Sequence, residues 1–491
     1  MSKYILAVDQ STQGTKGLIF DEEGKLVCRA DRPHEQIVNE KGWVEHDPIE
    51  ILNNTIAVCR DVTEKSGIRK SDIVSFGISN QRETSVAWNK QTGRPVYNAI
   101  VWQCSRAEEI CERHSSEAER IRKATGMKLS PYFPASKLQW IIEIIPDAEE
   151  LAENNMLAVG TIDSWLIFNL TEEHNHKTDY SNASRTQLFD INKLEWDAEL
   201  VKSFKLPMSA MPEVCMSDSD FGHTTLGGLL DVPVSIHGVL GDSHGALFGQ
   251  DCRLPGQLKA TYGTGSSVMM NIGTRPIISD KGIVTSLAWG MNGKVEYCFE
   301  GNLNYTGAVL RWLEKDIHLI ERAHEADELA ETANKEDKTY FVPAFTGLGA
   351  PYWDSKATGM FTGITRTTGR AEMAKACIEC IPYQITDLID LMREESGRTI
   401  DVIRADGGPT ANGYMMQFQS DMSKAVVQIP ELQELSGMGA AYAAGIAVGL
   451  YSPDEIFKHI NYTQYSPKMD AERQKKLYDG WRAAVGQALH H

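Results

Sequence analysis

A short apolar run that stops at an acid or a glycine and then turns sharply occurs in both halves of this chain, and it constrains the fold more than any other feature. Tyr4 to Asp9 is apolar, breaks at Gln10-Ser11-Thr12-Gln13-Gly14, and resumes from Thr15 to Phe20. After the turn Asp21-Glu22-Glu23-Gly24-Lys25, a third run spans Leu26 to Ala30. The pattern predicts strand, polar tight turn, strand, turn, strand. Helical spacing follows from Pro48 to Lys65, then a buried strand from Ile73 to Ile78. Midway, Val234 to Leu240 ends at Gly241-Asp242, and Gln257 to Tyr262 runs into Gly263-Thr264-Gly265-Ser266-Ser267. Asp401 to Ala405 ends at Asp406-Gly407-Gly408. Strands mixed with helices throughout indicate an α/β chain. The repeated unit predicts two related domains, each delivering a loop to a shared cleft. The boundary falls near Gln250 to Gln257, where Pro255 and Gly256 interrupt the pattern, giving domains 1–250 and 251–491.

A chain of 491 residues has room for two such domains. Its formal charge of −18 argues against a nucleic-acid or anionic-membrane surface, which needs a basic patch. An anionic nucleotide is still compatible, because backbone amides and a metal ion can hold it. The N-terminal apolar run is too short for a signal peptide, and no stretch reaches the length of a membrane span. A cytoplasmic protein without membrane insertion is the expectation. The 9 cysteines are irregularly placed, unlike a disulfide framework. Cys377 and Cys380 form a C-x-x-C inside the helical stretch Arg370 to Met392 and read as buried thiols; Pro382 is expected to kink that helix.

The turns have chemistry suited to phosphate. Around Asp9 to Lys16, hydroxyls and backbone N–H groups can donate to phosphate oxygens, and an Asp at a strand end can organise Mg2+ through water. Glycines flanking Thr264 let the backbone approach an anion. Gly407 and Gly408 remove side chains where adenine and ribose can lie, and Asn412 follows at the start of a helix. Taken singly, each turn is equally readable as an ordinary hairpin; together they point to one nucleotide site. No Walker loop or Rossmann fingerprint occurs in the required context.

Further segments carry a resemblance. They include Gly42-Trp43-Val44-Glu45-His46-Asp47-Pro48, Asn80-Gln81-Arg82-Glu83-Thr84, Tyr97 to Gln103, Gly160 to Ile167, Asn182-Ala183-Ser184-Arg185-Thr186, and Pro343 to Asp354. With the turns, they make the chain resemble the FGGY family of carbohydrate kinases from Tyr4 to about Leu450. The resemblance implies two actin-like ATPase (ribonuclease H-like) domains around a deep cleft, with ATP and Mg2+ as cofactors. It implies a small polyol or sugar as substrate, and a homodimer or homotetramer. Residue by residue, it implies that Arg82, Glu83, Trp102, Tyr132 and Asp242 contact the polyol, with Asp242 as the base. Asp9 is implied to organise Mg2+. Thr12, Gln13, Gly14, Lys16, Gly263, Thr264, Gly307, Arg311, Gly408 and Asn412 are implied to hold the nucleotide. Read alone, Arg82 and Glu83 fit a surface pair, Trp102 and Tyr132 core aromatics, and Asp242 a helix N-cap.

The expected reaction is glycerol to glycerol 3-phosphate, with a longer polyol or ketose as the alternative. A non-kinase actin-like nucleotide-binding protein is the reading from another class. The family pattern for glycerol has Gln after the catalytic Asp and Phe on the carbon chain; Ser243 and Ser267 stand there in this chain. Both changes remove bulk and add a hydroxyl to the substrate wall. Lys16 stands for the usual Arg, keeping the charge without the fork, and Arg311 for a polar amide.

Overall fold

A computed structural model describes residues 2–432 and 434–489; His490 and His491, to which the sequence assigns no function, lie outside them. The first segment forms β1 (Tyr4–Gln10), β2 (Gly14–Phe20) and β3 (Leu26–Pro33), an antiparallel meander in which Asp9 lies opposite Lys16. Helix α1 (Pro48–Ser66) crosses back to β4 (Ile73–Asn80), which pairs parallel to β1. Asp47 caps α1 by accepting from the Ile49 N–H, proline occupies the first turn, and Gly67 ends the helix at φ 69°. β5 (Val234–Gly241) pairs parallel to β4, and the sheet reads β5-β4-β1-β2-β3 with the short strand His223–Thr224 on its edge.

The second half repeats this plan. β6 (Leu258–Tyr262), β7 (Ser266–Gly273) and β8 (Lys294–Leu303) form the meander; β9 (Val402–Asp406) pairs parallel to β6, and β10 (Val426–Pro430) parallel to β9. Order and direction match the first sheet, β10-β9-β6-β7-β8, with Val284–Met291 and Tyr462–Tyr465 added at the edges. Helix α3 (Arg370–Ser396) precedes β9 and continues through Pro382, and α4 (Gly413–Ser423) links β9 to β10. Cys377 and Cys380 are buried free thiols in α3, and burial pushes both up.

Each fifth strand is followed by a helix, α2 (Asp242–Gly249) after β5 and α5 (Leu435–Ala447) after β10. These equivalent helices lie side by side between the sheets, and α5 also packs on β1, β4 and β5. Glycine makes the approach possible. A Cβ on Gly439 would sit 1.9 Å from the Gly245 carbonyl oxygen, so the helices touch through their backbones. β1 divides its side chains accordingly: Leu6 and Val8 enter the core beneath α1, while Ile5 and Ala7 enter the one shared with α5. Among the described residues no helix is long and apolar enough to cross a membrane.

Candidate active site

The carboxyl ends of β1, β6 and β9 open on a cavity of about 920 Å3 between the sheets. Asp9, Lys16, Asp242, Ser243, Lys259, Thr261, Ser267, Asp406, Gly407 and Gly408 line it, together with Glu431, Leu432 and Glu434. At the β1–β2 turn the Ser11 N–H donates to the Gly14 carbonyl at 2.8 Å. Asp9 is buried and accepts from Ser79 Oγ at 2.9 Å. Burial pushes its carboxyl up to about 6, Lys16 opposes that, and Asp242 adds to it. Thr12 Oγ1 accepts from Trp102 Nε1 at 3.0 Å, tying the turn to the segment around Trp102. Lys16 donates to Glu434 Oε2 at 2.7 Å, and Arg29 grips the same carboxylate.

The β6–β7 turn is closed by the Gly263 N–H on the Gly265 carbonyl at 2.9 Å. The Gly307 N–H donates to the Gly263 carbonyl at 2.9 Å, so Gly263, Thr264 and Gly307 form one hydrogen-bonded unit. At the end of β9, Gly407 has φ 101°, and a Cβ there would lie 1.9 Å from the Tyr262 carbonyl oxygen. Gly408, beside it, has open space at its Cβ position and faces the cavity.

The residues expected from the sequence to contact a polyol gather behind Asp242. Arg82 is bidentate on Glu300 at 2.8 and 3.0 Å, its Nε lies 3.1 Å from Asp242 Oδ1, and Nη2 donates to Ser243 Oγ at 3.2 Å. Glu83, at φ 56°, accepts from Arg185 Nε at 2.5 Å, and Arg185 reaches Glu300 at 2.8 Å. The Trp102 and Tyr132 rings lie 5.5 Å apart. Lys137 donates to the carbonyls of both Glu83 and Tyr132. Burial alone would neutralise Glu300, but Arg185 and Arg82 overcome it and hold the carboxyl well below the usual range. Asp242 differs from these shielded acids: its side chain is 34% exposed, towards the cavity.

The structure thus brings Asp9, Lys16, Asp242, Ser243, Ser267 and Gly408 to the cavity wall, and groups Arg82, Glu83, Trp102 and Tyr132 with Asp242. It places Gln13, at a turn tip, and Arg311, within the helical stretch 307–316, on the exposed surface. Gly14 is packed on β3, 2.5 Å from the Arg32 carbonyl at its Cβ position. Asn412 caps α4 through the Met415 N–H at 2.6 Å. Glu300, Arg185, Lys137, Lys259, Asp406 and Glu434 escaped the sequence reading as site residues. Arg185 and Asp406 lay within quoted motifs, Lys259 is a lone charge in an apolar strand, and Glu300 is one of three charged residues in its strand. Among the described residues no three His, Cys, Asp or Glu side chains converge on a metal cage. Asp9 and Asp242 on one cavity fit Mg2+, which keeps waters and takes phosphate oxygens.

Duplicated sheets around a cleft that joins glycine- and hydroxyl-rich turns to a polar pocket define a protein of the two-domain, actin-like ATPase fold. The model of the N-terminal domain of the FGGY family of carbohydrate kinases matches residues 4–249, and that of its C-terminal domain matches 258–448. The chain belongs to the FGGY family of carbohydrate kinases and is an ATP-dependent kinase that uses ATP with Mg2+. It is 43% identical to a glycerol kinase of Caldanaerobacter subterraneus, covering 100% of this chain and 99% of that one. Glycerol kinase 2 of Thermotoga maritima is 42% identical, with 99% of each covered. The crystal structure of Plasmodium falciparum glycerol kinase with ADP superposes with a TM-score of 0.93 at 35% identity, covering 100% of this chain and 99% of that one.

Proposed function

We propose that this kinase transfers the γ-phosphoryl group of ATP to a primary hydroxyl of glycerol, giving glycerol 3-phosphate, with Asp242 as the base. The observation that carries this is Asp242 itself, an acid open to the cavity yet held beside Arg82 and Ser243. Full-length likeness to proteins named glycerol kinases supports the polyol. Arg82 and Glu83 orient the hydroxyls, while Trp102 and Tyr132 cover the carbons. Thr12, Gly263 and Thr264 receive the phosphates, Gly307, Gly408 and Asn412 frame the nucleoside, and Asp9 organises Mg2+. The transition state is loose, so positioning and charge count for more than proton removal, and Asp242 takes the hydroxyl proton late. In this reading residues 1–250 and 251–491 are the working domains of a cytoplasmic homodimer or homotetramer.

Ser243 and Ser267 favour a second reading, in which a longer polyol or ketose is the better substrate, because both place a short hydroxyl on the cavity wall. ADP release with Mg-ATP, compared across glycerol, tetritols, pentitols and ketoses, separates the two. Highest kcat/KM for glycerol supports the first reading; a tenfold lead for a longer substrate, about 1.4 kcal/mol, replaces it. Asp242→Asn is expected to lower kcat on the best substrate by roughly 10²–10⁴-fold. A variant retaining more than a tenth of the wild-type rate would remove Asp242 as the base.

A further inference from the structure

β6 sends its side chains alternately to two faces. Leu258, Ala260 and Tyr262 enter the second core, while Lys259 and Thr261 line the cavity. Lys259 is 1% exposed, and its ammonium donates to Thr261 Oγ1 at 2.9 Å. Thr261 in turn donates to Asp406 Oδ2 at 3.1 Å, and Asp406 also accepts from Gln250 Nε2. An ammonium has three N–H groups, so this chain of contacts leaves two of them for the cavity.

The charges around it are unbalanced. Asp9, Asp242, Asp406, Glu431 and Glu434 line the cavity against only Lys16 and Lys259. Lys16 is engaged by Glu434, and its side chain is 32% exposed, so solvent screens it. Lys259 is the buried cation, within the field of Asp406, Glu300, Arg82 and Asp242. Burial pushes its amine down, so an anionic oxygen that reaches this ammonium directly restores the charged form that burial disfavours. Its backbone belongs to a central strand, which fixes where the amine can reach.

We propose that Lys259 is a catalytic residue that holds the phosphoryl group during transfer, its two remaining N–H groups bonding nonbridging oxygens of that group beside Asp242. The Pγ–O bond to the β-phosphate breaks, the bond from Pγ to the polyol oxygen forms, and the hydroxyl proton goes to Asp242. Lys259 gives up no proton; it stabilises charge on the equatorial oxygens, where a loose transition state carries it. The inference rests on the kinase assignment and on Asp242 as the base, and it holds whichever polyol is used.

The test compares Lys259→Met and Lys259→Arg with wild type in turnover, in melting temperature, and in binding of Mg-ADP, of glycerol, and of Mg-ADP with aluminium fluoride and glycerol. The last complex mimics the group in flight. K259M is expected to lose kcat on the order of 10²-fold and affinity for the aluminium fluoride complex by a similar factor. Affinities for ADP and glycerol alone should stay within about threefold, and K259R should recover part of the loss. Unchanged kcat, or equal losses of ADP affinity, melting temperature and kcat, would overturn the proposal and leave Lys259 as support for Asp406. Should K259M fail to fold, Lys259→Gln is read in the same way, and failure of both also overturns it. A wild type inert towards glycerol but active on another polyol would remove the glycerol reading alone, and the same comparison would then use that polyol.

Discussion

Lys137 shows how a buried residue away from the cavity holds the residues behind Asp242. It is fully buried, and its amine bonds the carbonyls of Glu83 and Tyr132, fixing both at once. Burial pushes that amine down to about 7. Between there and the unfolded lysine value near 10, the unfolded chain holds more protons than the folded one, so stability from this group rises with pH, by up to about 1.4 kcal/mol per unit. The penalty is complete below about pH 7 and fades above it. The gap in melting temperature between wild type and Lys137→Met should therefore shift in favour of wild type from pH 6.5 to pH 9. A gap independent of pH would mean that the amine is charged throughout. Such residues are hard to read from sequence. Arg82, Glu83, Trp102, Tyr132 and Asp242 came from segments matching a family pattern. Glu300 is one of two acids in its strand, with nothing local to tell it from Glu296, and its partner Arg82 lies 218 residues away in sequence.

At the scale of elements, β1, β2, α1 and β4 were legible because each buries a face and so carries its period or its apolar run. The observed bounds move outward by a residue or a few, where polar turn residues still pair. The turns were legible as glycine and hydroxyl clusters, but not which of their residues face the cavity. Gln13 shows why: it belongs to the same polar turn as Asp9 and Thr12, yet its side chain lies on the exposed surface. α5 was least legible in its location. Its run of Ala and Gly marks burial on all sides but names no neighbour. Substituting Gly439 with Ala should drive a methyl into the Gly245 carbonyl and cost about 1–3 kcal/mol of stability. Thermal unfolding checks this; an unshifted midpoint would show that the helices part without strain.

In the whole molecule, Glu300 is the acid through which the second sheet reaches the arginines beside Asp242 and Glu83. It belongs to β8, whereas Arg82 and Arg185 come from the first half. Replacing Glu300 with Gln leaves two buried cations undercompensated, and losing one partner of a buried pair costs about 3–5 kcal/mol. The polyol KM should rise at least tenfold while that for ATP moves little, and the effect should persist in high salt because the pair is shielded. Equal changes in both constants would point to general loosening of the chain.

The pair of glycine-faced helices has a consequence for how the chain can be divided. Because α5 covers β1, β4 and β5, the sheet built by the first half is roofed by the second. Severing the chain between the halves would strip that roof and leave Ile5, Ala7, Leu18 and Leu240 facing water. The first half is then an unfinished body awaiting one helix from its sibling. A gene split at this joint would yield fragments that recover shape only when they meet.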